Sequence, residues 1–257
     1  MSIGFFDSGV GGLTVLELAM QQLQGEHFIY YADIDNVPYG TKTHTEIKSL
    51  VMEAVAFIVS KDIKALVIAC NTATSVVVKE LRKRYDFPIV GMEPAVKPAI
   101  EASTGKKILV CATDRTLNED KLKHLIIDLN ADDIITLLSL QQLVNFGEQF
   151  DFHSDNLMSY LHDRFRDIDW SLYHAIVLGC THFIFYRNTI RKMIPDHVEV
   201  IDGNQGTVNR LISLIDKKEN TLPPHRATCD FYISGREVSP LYFDHYMRFI
   251  SESNIIL

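Results

Sequence analysis

Two segments of the chain end in the same way. Ala65–Thr74 reads ALVIACNTAT and Ala175–Phe183 reads AIVLGCTHF. Each is an apolar, partly β-branched run that ends in a small residue, a cysteine and small polar residues, which is typical of a buried parallel strand with a thiol at its tip. Ligands bind at the carboxyl ends of strands in open α/β sheets. We therefore expect two related halves that deliver Cys70 and Cys180 to one shared site.

Strand-like apolar runs alternate with helical patterns along most of the chain. His44–Ser60 has one apolar helical face, and a single helix is expected over Leu117–Leu129. This alternation predicts an α/β fold with parallel sheets covered by helices on both faces. Near the C-terminus, Glu219–Pro224 is interpreted as a polar linker, followed by a strand at Thr228–Ser234 and a helix at Pro240–Ser251.

Composition and charge narrow the functional classes. The 257 residues carry a net charge of −8 and no dense Lys/Arg stripe, so we expect no nucleic-acid partner. The basic run Lys79–Arg84 falls at the end of a predicted helix, where cations suit the helix dipole. No apolar run approaches the ~18 residues of a membrane span, and the N-terminus leads into a strand without a basic, cleavable leader. We expect a cytoplasmic protein with no membrane partner.

The cysteines should be reduced in that compartment. None of the four belongs to a CxxC pair, so spacing predicts neither a zinc site nor a thioredoxin-type site. Cys111 and Cys229 are interpreted as small buried hydrophobes, which is the commonest role of a lone buried cysteine. The matched pair, Cys70 and Cys180, is interpreted as functional.

The first strand ends in the motif FDSGVGG, Phe6–Gly12. Glycines let the backbone approach a ligand, and the N-terminus of the following helix favours an anion such as a carboxylate. A dinucleotide-binding turn is the alternative, but GxGxxG is absent and Asp7 would repel a phosphate. The motif predicts a functional acid at Asp7.

A second turn, DNVPYGTKT, covers Asp35–Thr43. Pro38 and Gly40 predict a rigid turn that leaves Tyr39 pointing from a loop. A plain surface turn explains this motif equally well.

The groups that follow each matched cysteine suit a bound amino acid. In CNTAT and GCTH, backbone amides and hydroxyls at the junction of strand and helix could hold a carboxylate and favour a thiolate. Moving a proton from one face of an α-carbon to the other needs a base and an acid on opposite sides. Thiols suit this task because their ordinary pKa of about 8.5 lies near working pH. No pyridoxal-lysine motif or metal cluster is apparent, so we expect neither cofactor nor metal.

Together these segments resemble the glutamate racemases of the aspartate/glutamate racemase superfamily. The matching stretches occur in the family's order over nearly the whole chain: FDSGVGGLTV (Phe6–Val15), YYADIDNVPYG (Tyr30–Gly40), VIACNTAT (Val67–Thr74), PIVGMEPA (Pro88–Ala95), ILVCATDRT (Ile108–Thr116) and VLGCTHF (Val177–Phe183).

The resemblance implies cofactor-independent interconversion of L- and D-glutamate, which supplies D-glutamate for peptidoglycan. It implies that Cys70 and Cys180 are the acid/base pair, with Asp7 assisting Cys70 and with His182 and Glu148 near Cys180. The implied substrate-binding residues are Asp7, Ser8, Pro38, Tyr39, Gly40, Asn71, Thr72, Thr113, Thr116, Thr181 and His182.

The resemblance also implies two pseudo-symmetric, doubly wound parallel-sheet domains with the active site in the cleft between them. The first would comprise residues 1–92 and 206–257, and the second residues 93–205. We expect a homodimer.

Several positions depart from the family pattern. Ile184 replaces a proline, Ala112 a glycine and Glu119 a serine, and the segment that often reads CPxLVPLVE is LQQLVNFGE here. The last segment keeps its glutamate, Glu148, but not its prolines.

Two other functions are compatible with the same motifs. An aspartate racemase of the superfamily would share both thiols, because the sequence does not give the size of the pocket that measures side-chain length. A non-catalytic amino-acid sensor would share the fold but would need neither thiol.

Overall fold

The computed structural model describes residues 1–103, 105–215 and 226–256. The strands in chain order are β1 (Ser2–Asp7), β2 (His27–Ala32), β3 (Ile63–Ile68), β4 (Ile89–Gly91), β5 (Lys107–Ala112), β6 (Ile135–Ser139), β7 (Tyr173–Leu178), β8 (Glu199–Asp202), β9 (Thr228–Ile233) and β10 (Arg236–Val238). The α-helices are α1 (Leu13–Gln22), α2 (His44–Val59), α3 (Asn71–Arg84), α4 (Val96–Ala102), α5 (Asp114–Asn118), α6 (Asp120–Asp128), α7 (Gln142–Glu148), α8 (Asp155–Phe165), α9 (Arg187–Met193), α10 (Asn204–Leu214) and α11 (Asp244–Glu252).

The strands form two sheets. The first has the order β10-β9-β2-β1-β3-β4 and the second the order β6-β5-β7-β8. All pairings are parallel except that of β9 with β10. The prediction of α/β architecture with mostly parallel sheets is confirmed, and β10 is an antiparallel edge strand that the sequence reading missed.

The inner strands of each sheet are buried on both faces, which explains the continuous apolar runs in the sequence, whereas the edge strands β6, β8 and β10 contain no buried residue. In β1, Phe5 packs into one apolar cluster and Phe6 into another on the opposite face. In β5, Leu109 and Val110 likewise pack into different apolar clusters. Helices cover both faces, so the carboxyl ends of the strands are the edges at which polar side chains gather.

Two predicted helices differ from the structure. The expected helix Leu117–Leu129 is divided into α5 and α6, because Glu119 adopts an extended conformation (ψ 133°) while its side chain pairs with Arg115. The expected helix at Pro240–Ser251 begins only at Asp244, after a short 3-10 turn. The basic run Lys79–Arg84 does end a helix, α3, as predicted.

The chain passes between the sheets twice, near Glu93 and near Gly203, and the two passages touch. A Cβ on Gly203 would lie 2.8 Å from the Glu93 carbonyl oxygen, so this contact requires glycine. The first sheet takes its strands from residues 2–91 and 228–238, and the second from residues 107–202. The predicted linker Glu219–Pro224 lies outside the described residues, and none of the described helices has both the length and the hydropathy of a membrane span.

Candidate active site

The carboxyl end of β1 carries Asp7, which is fully buried. Its carboxylate accepts hydrogen bonds from the Gly9 N–H at 2.9 Å and from the Thr181 hydroxyl at 3.2 Å. Burial raises the pKa of Asp7 to about 6, and the positive charge of His182 and the Gly9 hydrogen bond oppose that rise. Asp7 therefore joins the first half of the chain to the segment that follows Cys180, and does not belong to the Cys70 side alone.

The glycine turn after Asp7 packs directly against side chains of the other half. A Cβ on Gly9 would lie 1.8 Å from Glu148 Oε1, and one on Gly11 would lie 2.4 Å from Thr181 Oγ1. The Tyr30 hydroxyl donates to the Gly9 carbonyl at 2.7 Å and fixes the turn from behind. The glycines of FDSGVGG are thus needed for close approach of the two halves.

Cys70 follows β3 and caps α3. Its sulfur accepts hydrogen bonds from the Ser8 hydroxyl and the Ala73 N–H, each at 3.4 Å. Burial raises the pKa of Cys70 to about 12 and the charge of Asp7 adds to the rise, whereas the two hydrogen bonds lower it. The hydroxyl and amide expected to favour a thiolate are present, but burial outweighs them and favours the protonated thiol at Cys70.

Cys180 follows β7 and precedes the 3-10 helix Thr181–Tyr186. Its sulfur lies 3.9 Å from Nδ1 of His182, and Nε2 of His182 lies 2.6 Å from Glu148 Oε1. Burial alone would lower the pKa of His182, but the hydrogen bonds with Cys180 and Glu148 and the negative charge of Glu148 raise it well above its ordinary value. The structure therefore brings Cys180, His182 and Glu148 together, in an arrangement that favours the protonated form of the imidazole between them.

Small polar side chains from both halves meet between the cysteine strands. The hydroxyl oxygens of Thr72, Thr113 and Thr116 lie 3.0–3.1 Å from one another. The Asn71 side chain is buried, and its amide nitrogen and oxygen have no hydrogen-bond partner among the described residues. Hydroxyls and a free amide of this kind can bind a carboxylate or an ammonium group.

The turn Pro38–Gly40 also reaches this region, with a cis peptide bond before Pro38. Tyr39 is buried, and its hydroxyl donates to Asp33 at 2.6 Å rather than projecting freely from a loop. A Cβ on Gly40 would lie 2.0 Å from Oε1 of Gln141, which belongs to the other half.

Sequence reasoning missed the residues that support the candidate site from behind. Asp33 holds Tyr39, Tyr30 holds the glycine turn, and Gln141 packs on Gly40. Asp33 and Tyr30 lie inside the motif YYADIDNVPYG, so their positions were available. Their hydrogen bonds, with the Tyr39 hydroxyl and the Gly9 carbonyl, leave no periodic pattern in the sequence.

A cavity of about 370 Å³ borders this group of residues. It is lined by Asn71, Thr74 and Thr116 and also by Glu119, one of the positions that depart from the family pattern. Within residues 1–103, 105–215 and 226–256, no cluster of three or more His, Cys, Asp or Glu side chains could hold a metal ion.

Two related sheets that bring a cysteine each to a shared polar region have the architecture expected of an α-carbon racemase. The family model described as "Asp/Glu/Hydantoin racemase" matches residues 12–211. The chain belongs to this family.

Particular relatives narrow the comparison. The chain is 51% identical to the glutamate racemase of Halothermothrix orenii over 84% of this chain and 85% of that protein. It is 49% identical to the glutamate racemase of Campylobacter concisus over 93% of this chain and 91% of that protein. The solved structure of Escherichia coli glutamate racemase in complex with L-glutamate and the activator UDP-MurNAc-Ala is 27% identical, with a TM-score of 0.79 over 96% of this chain and 95% of that one.

Proposed function

We propose that this protein interconverts L- and D-glutamate by a two-base proton transfer between Cys180 and Cys70. The observation that carries the proposal is that the two thiols stand at equivalent strand ends of two related sheets, each with its own polar partners. The choice of glutamate rests on the relatives, which carry that name at 49–51% identity over most of the chain.

The charges around the two sulfurs suggest which one starts as base. A cation beside a sulfur favours the thiolate, and an anion disfavours it. Cys180 lies beside the positively charged His182, whereas Cys70 lies near Asp7. In one direction the Cys180 thiolate removes the α-proton and the Cys70 thiol donates its proton to the opposite face. In the other direction the Cys70 thiolate that remains is the base and the Cys180 thiol is the acid.

The remaining candidate residues bind and orient the amino acid. Asn71 and the hydroxyls of Thr72, Thr113 and Thr116 offer donors for a carboxylate, and Asp7 offers an acceptor for the ammonium group. Fixed dipoles and hydrogen bonds would stabilise the carbanion-like transition state, since such preorganised donors need no rearrangement during the reaction. Ser8, Pro38, Tyr39, Gly40, Thr181 and Glu148 complete the proposed site.

We further propose the biological setting that this reaction implies. The product D-glutamate would serve peptidoglycan synthesis in the cytoplasm, the protein would act as a homodimer, and the domains would comprise residues 1–92 with 206–257 and residues 93–205.

Deuterium exchange at the α-carbon tests the activity and its substrate. In D₂O, L-glutamate should acquire deuterium and racemise, and L-aspartate should not. Exchange of aspartate alone would identify an aspartate racemase, and exchange of neither would favour an amino-acid sensor.

No added cofactor should be needed. Activity should survive dialysis against EDTA and treatment with hydroxylamine, which attacks bound carbonyl cofactors. A loss of activity that pyridoxal phosphate or a divalent metal restores would contradict the cofactor-independent mechanism.

A further inference from the structure

The C-terminal helix α11 reaches the candidate active site from behind through one tyrosine. Tyr246 is buried, and its single hydroxyl proton is shared between the carbonyl oxygens of Gly147 and Glu148, each 3.0 Å away. These carbonyls belong to the last turn of α7. The final carbonyls of a helix lack intrahelical partners, so a donor placed there fixes the end of the helix.

The chain leaves α7 through a turn that packs on the same tyrosine. Phe150 has a left-handed backbone conformation (φ 56°), and its ring stands nearly perpendicular to the Tyr246 ring at 5.0 Å. The Phe150 N–H also bonds to the Gly147 carbonyl. Tyr246 therefore contacts the end of α7 through both its hydroxyl and its ring.

The end of α7 is where Glu148 enters the candidate site. Glu148 Oε1 accepts hydrogen bonds from the Val10 N–H at 2.8 Å and from His182 Nε2 at 2.6 Å. His182 Nδ1 in turn lies 3.9 Å from the Cys180 sulfur. A continuous series of contacts thus leads from Tyr246 through Glu148 and His182 to Cys180.

We propose that Tyr246 is a positioning residue for the Cys180 half of the reaction, acting through the backbone of Glu148 to hold His182 beside the sulfur. The helix α11 packs against α1, which belongs to the first half, whereas α7 follows β6 of the second sheet. Tyr246 therefore ties the position of Glu148 to the contact between the halves. This proposal rests on the proposed two-thiol function.

Kinetics in both directions provide the first test. Removal of the hydroxyl in Tyr246→Phe takes a donor from the Glu148 carbonyl and leaves the Gly147 carbonyl with the Phe150 N–H. We expect kcat to fall about 5- to 10-fold in the direction in which Cys180 is the base. The fall should be smaller in the other direction. The equilibrium constant between enantiomers is unity, so kcat/KM must be equal in both directions and the difference must appear as a compensating change in KM.

Alkylation of Cys180 provides a second test that does not depend on turnover. In a Cys70→Ala background, the rate of modification by iodoacetamide is followed against pH by mass spectrometry of the Cys180 peptide. The titratable groups that lie near this sulfur or near the imidazole beside it are Asp7, Cys70, Glu148, His182 and Tyr186. In Tyr246→Phe, His182 should be held less firmly beside the sulfur and should therefore favour the thiolate less. The midpoint of the alkylation profile should then move to higher pH.

Tyr173→Phe is the matched control. Tyr173 is also buried and also donates one hydrogen bond, to Thr136, but it lies at the start of β7, at the opposite end from Cys180. This variant should keep wild-type kinetics and the parental alkylation profile. Replacement of Tyr246 by p-aminophenylalanine, which keeps a donor at that position, should restore both readouts towards wild type.

Distinct results would overturn the proposal. The hydroxyl would only stabilise the fold if Tyr246→Phe lost kcat equally in both directions or had an unshifted alkylation profile. The same conclusion would follow if Tyr173→Phe gave the same shift. If Tyr246→Phe does not fold, a p-aminophenylalanine variant that folds but has a shifted profile would also contradict it. Failure of wild-type protein to exchange the α-proton of glutamate would refute the proposed function, and the alkylation profile would still test Tyr246.

Discussion

Cys70 and Cys180 differ in their nearest charged neighbours. Asp7 adds negative charge near Cys70, whereas the imidazole of His182 lies beside Cys180. The matched sequences predict two similar strand ends, and the structure has them. His182 follows Cys180 by two residues and is visible in the motif GCTH, whereas the charge near Cys70 comes from Asp7, which is distant in sequence. Burial is a property of the whole fold, so the raised pKa values of Cys70 and Asp7 could not be derived from local sequence.

Each thiol should be separately required. In Cys70→Ala or Cys180→Ala one face of the α-carbon lacks its acid or base, so racemisation should fall by at least the ~10²–10⁴-fold typical of a missing acid–base group. Both variants should still bind glutamate, because the carboxylate contacts come from other residues. Circular dichroism measures turnover and calorimetry measures binding. Near-normal turnover in either variant would contradict the two-base mechanism.

Asp7 and His182 should have unequal effects on the two directions. If Asp7 mainly assists Cys70 and His182 mainly assists Cys180, Asp7→Asn and His182→Asn should give kcat asymmetries of opposite sense, each with a loss of ~10²–10⁴-fold. The hydrogen bond from Thr181 to Asp7 brings Asp7 close to the Cys180 side as well, so its asymmetry should be the weaker. Equal losses in both directions for both variants would mean that the two residues only position the substrate.

The raised pKa of Asp7 also predicts a pH-dependent cost to stability. The carboxyl binds a proton more readily in the folded protein, with a pKa of about 6, than in the unfolded chain, at 3.8, so folding becomes less favourable as the pH rises through this interval. Two pKa units correspond to about 3 kcal/mol. The free energy of unfolding of Asp7→Asn relative to wild type should therefore increase by up to about 3 kcal/mol between acidic and neutral pH.

Urea unfolding at several pH values measures this difference, and Asp62→Asn serves as control because that carboxyl is exposed. If the free energy of unfolding of Asp7→Asn relative to wild type stayed constant across this pH interval, ionisation of the buried carboxyl would not destabilise the fold.

Among the structural elements, the glycine turn after β1 is where the sequence was most informative. The motif predicts close backbone approach, and the structure has that approach at Gly9 and Gly11, although the partner is the protein's other half. The division of the expected helix into α5 and α6 was not predictable, because no glycine or proline marks the break at Glu119. Strand β10 was missed because a three-residue edge strand has too few residues for a recognisable alternation.

Comparison of Gly11→Ala with Gly206→Ala distinguishes the need for close contact between the halves from the general effect of alanine on a helix. A Cβ at Gly11 would meet Thr181 and His182 within 2.4–2.6 Å, so this variant should lose most activity. A Cβ at Gly206, in the first turn of α10, would meet nothing within 4 Å, so this variant should keep its activity and gain roughly 0.5–1 kcal/mol of stability. Full activity in Gly11→Ala would mean that the two halves can separate at this turn without cost to the reaction.

For the whole molecule, both sulfurs are buried, so the proposed two-thiol reaction would require the halves to move apart to admit an amino acid. Cys70 is 6% and Cys180 8% exposed, and neither lines the cavity at Asn71. The two passages of the chain between the sheets meet at Gly203 and Glu93, so the spacing there should affect how far the halves open. The ordinary backbone conformation of Gly203 (φ −97°) accommodates alanine, which leaves the contact with Glu93 as the constraint.

Gly203→Ala should therefore favour the open arrangement. The added Cβ would lie 2.8 Å from the Glu93 carbonyl, closer than packed atoms allow, and the passages must separate to accept it. We expect faster alkylation of both Cys70 and Cys180 and a raised KM for glutamate, because substrate binding must then supply the free energy of closure. Gly206→Ala, which adds the same methyl group a few residues away without a contact, is the control. The added Cβ must displace one passage from the other, because atoms cannot remain this close. If alkylation and the KM for glutamate were nevertheless unchanged, the spacing at Gly203 and Glu93 would not control how far the halves open.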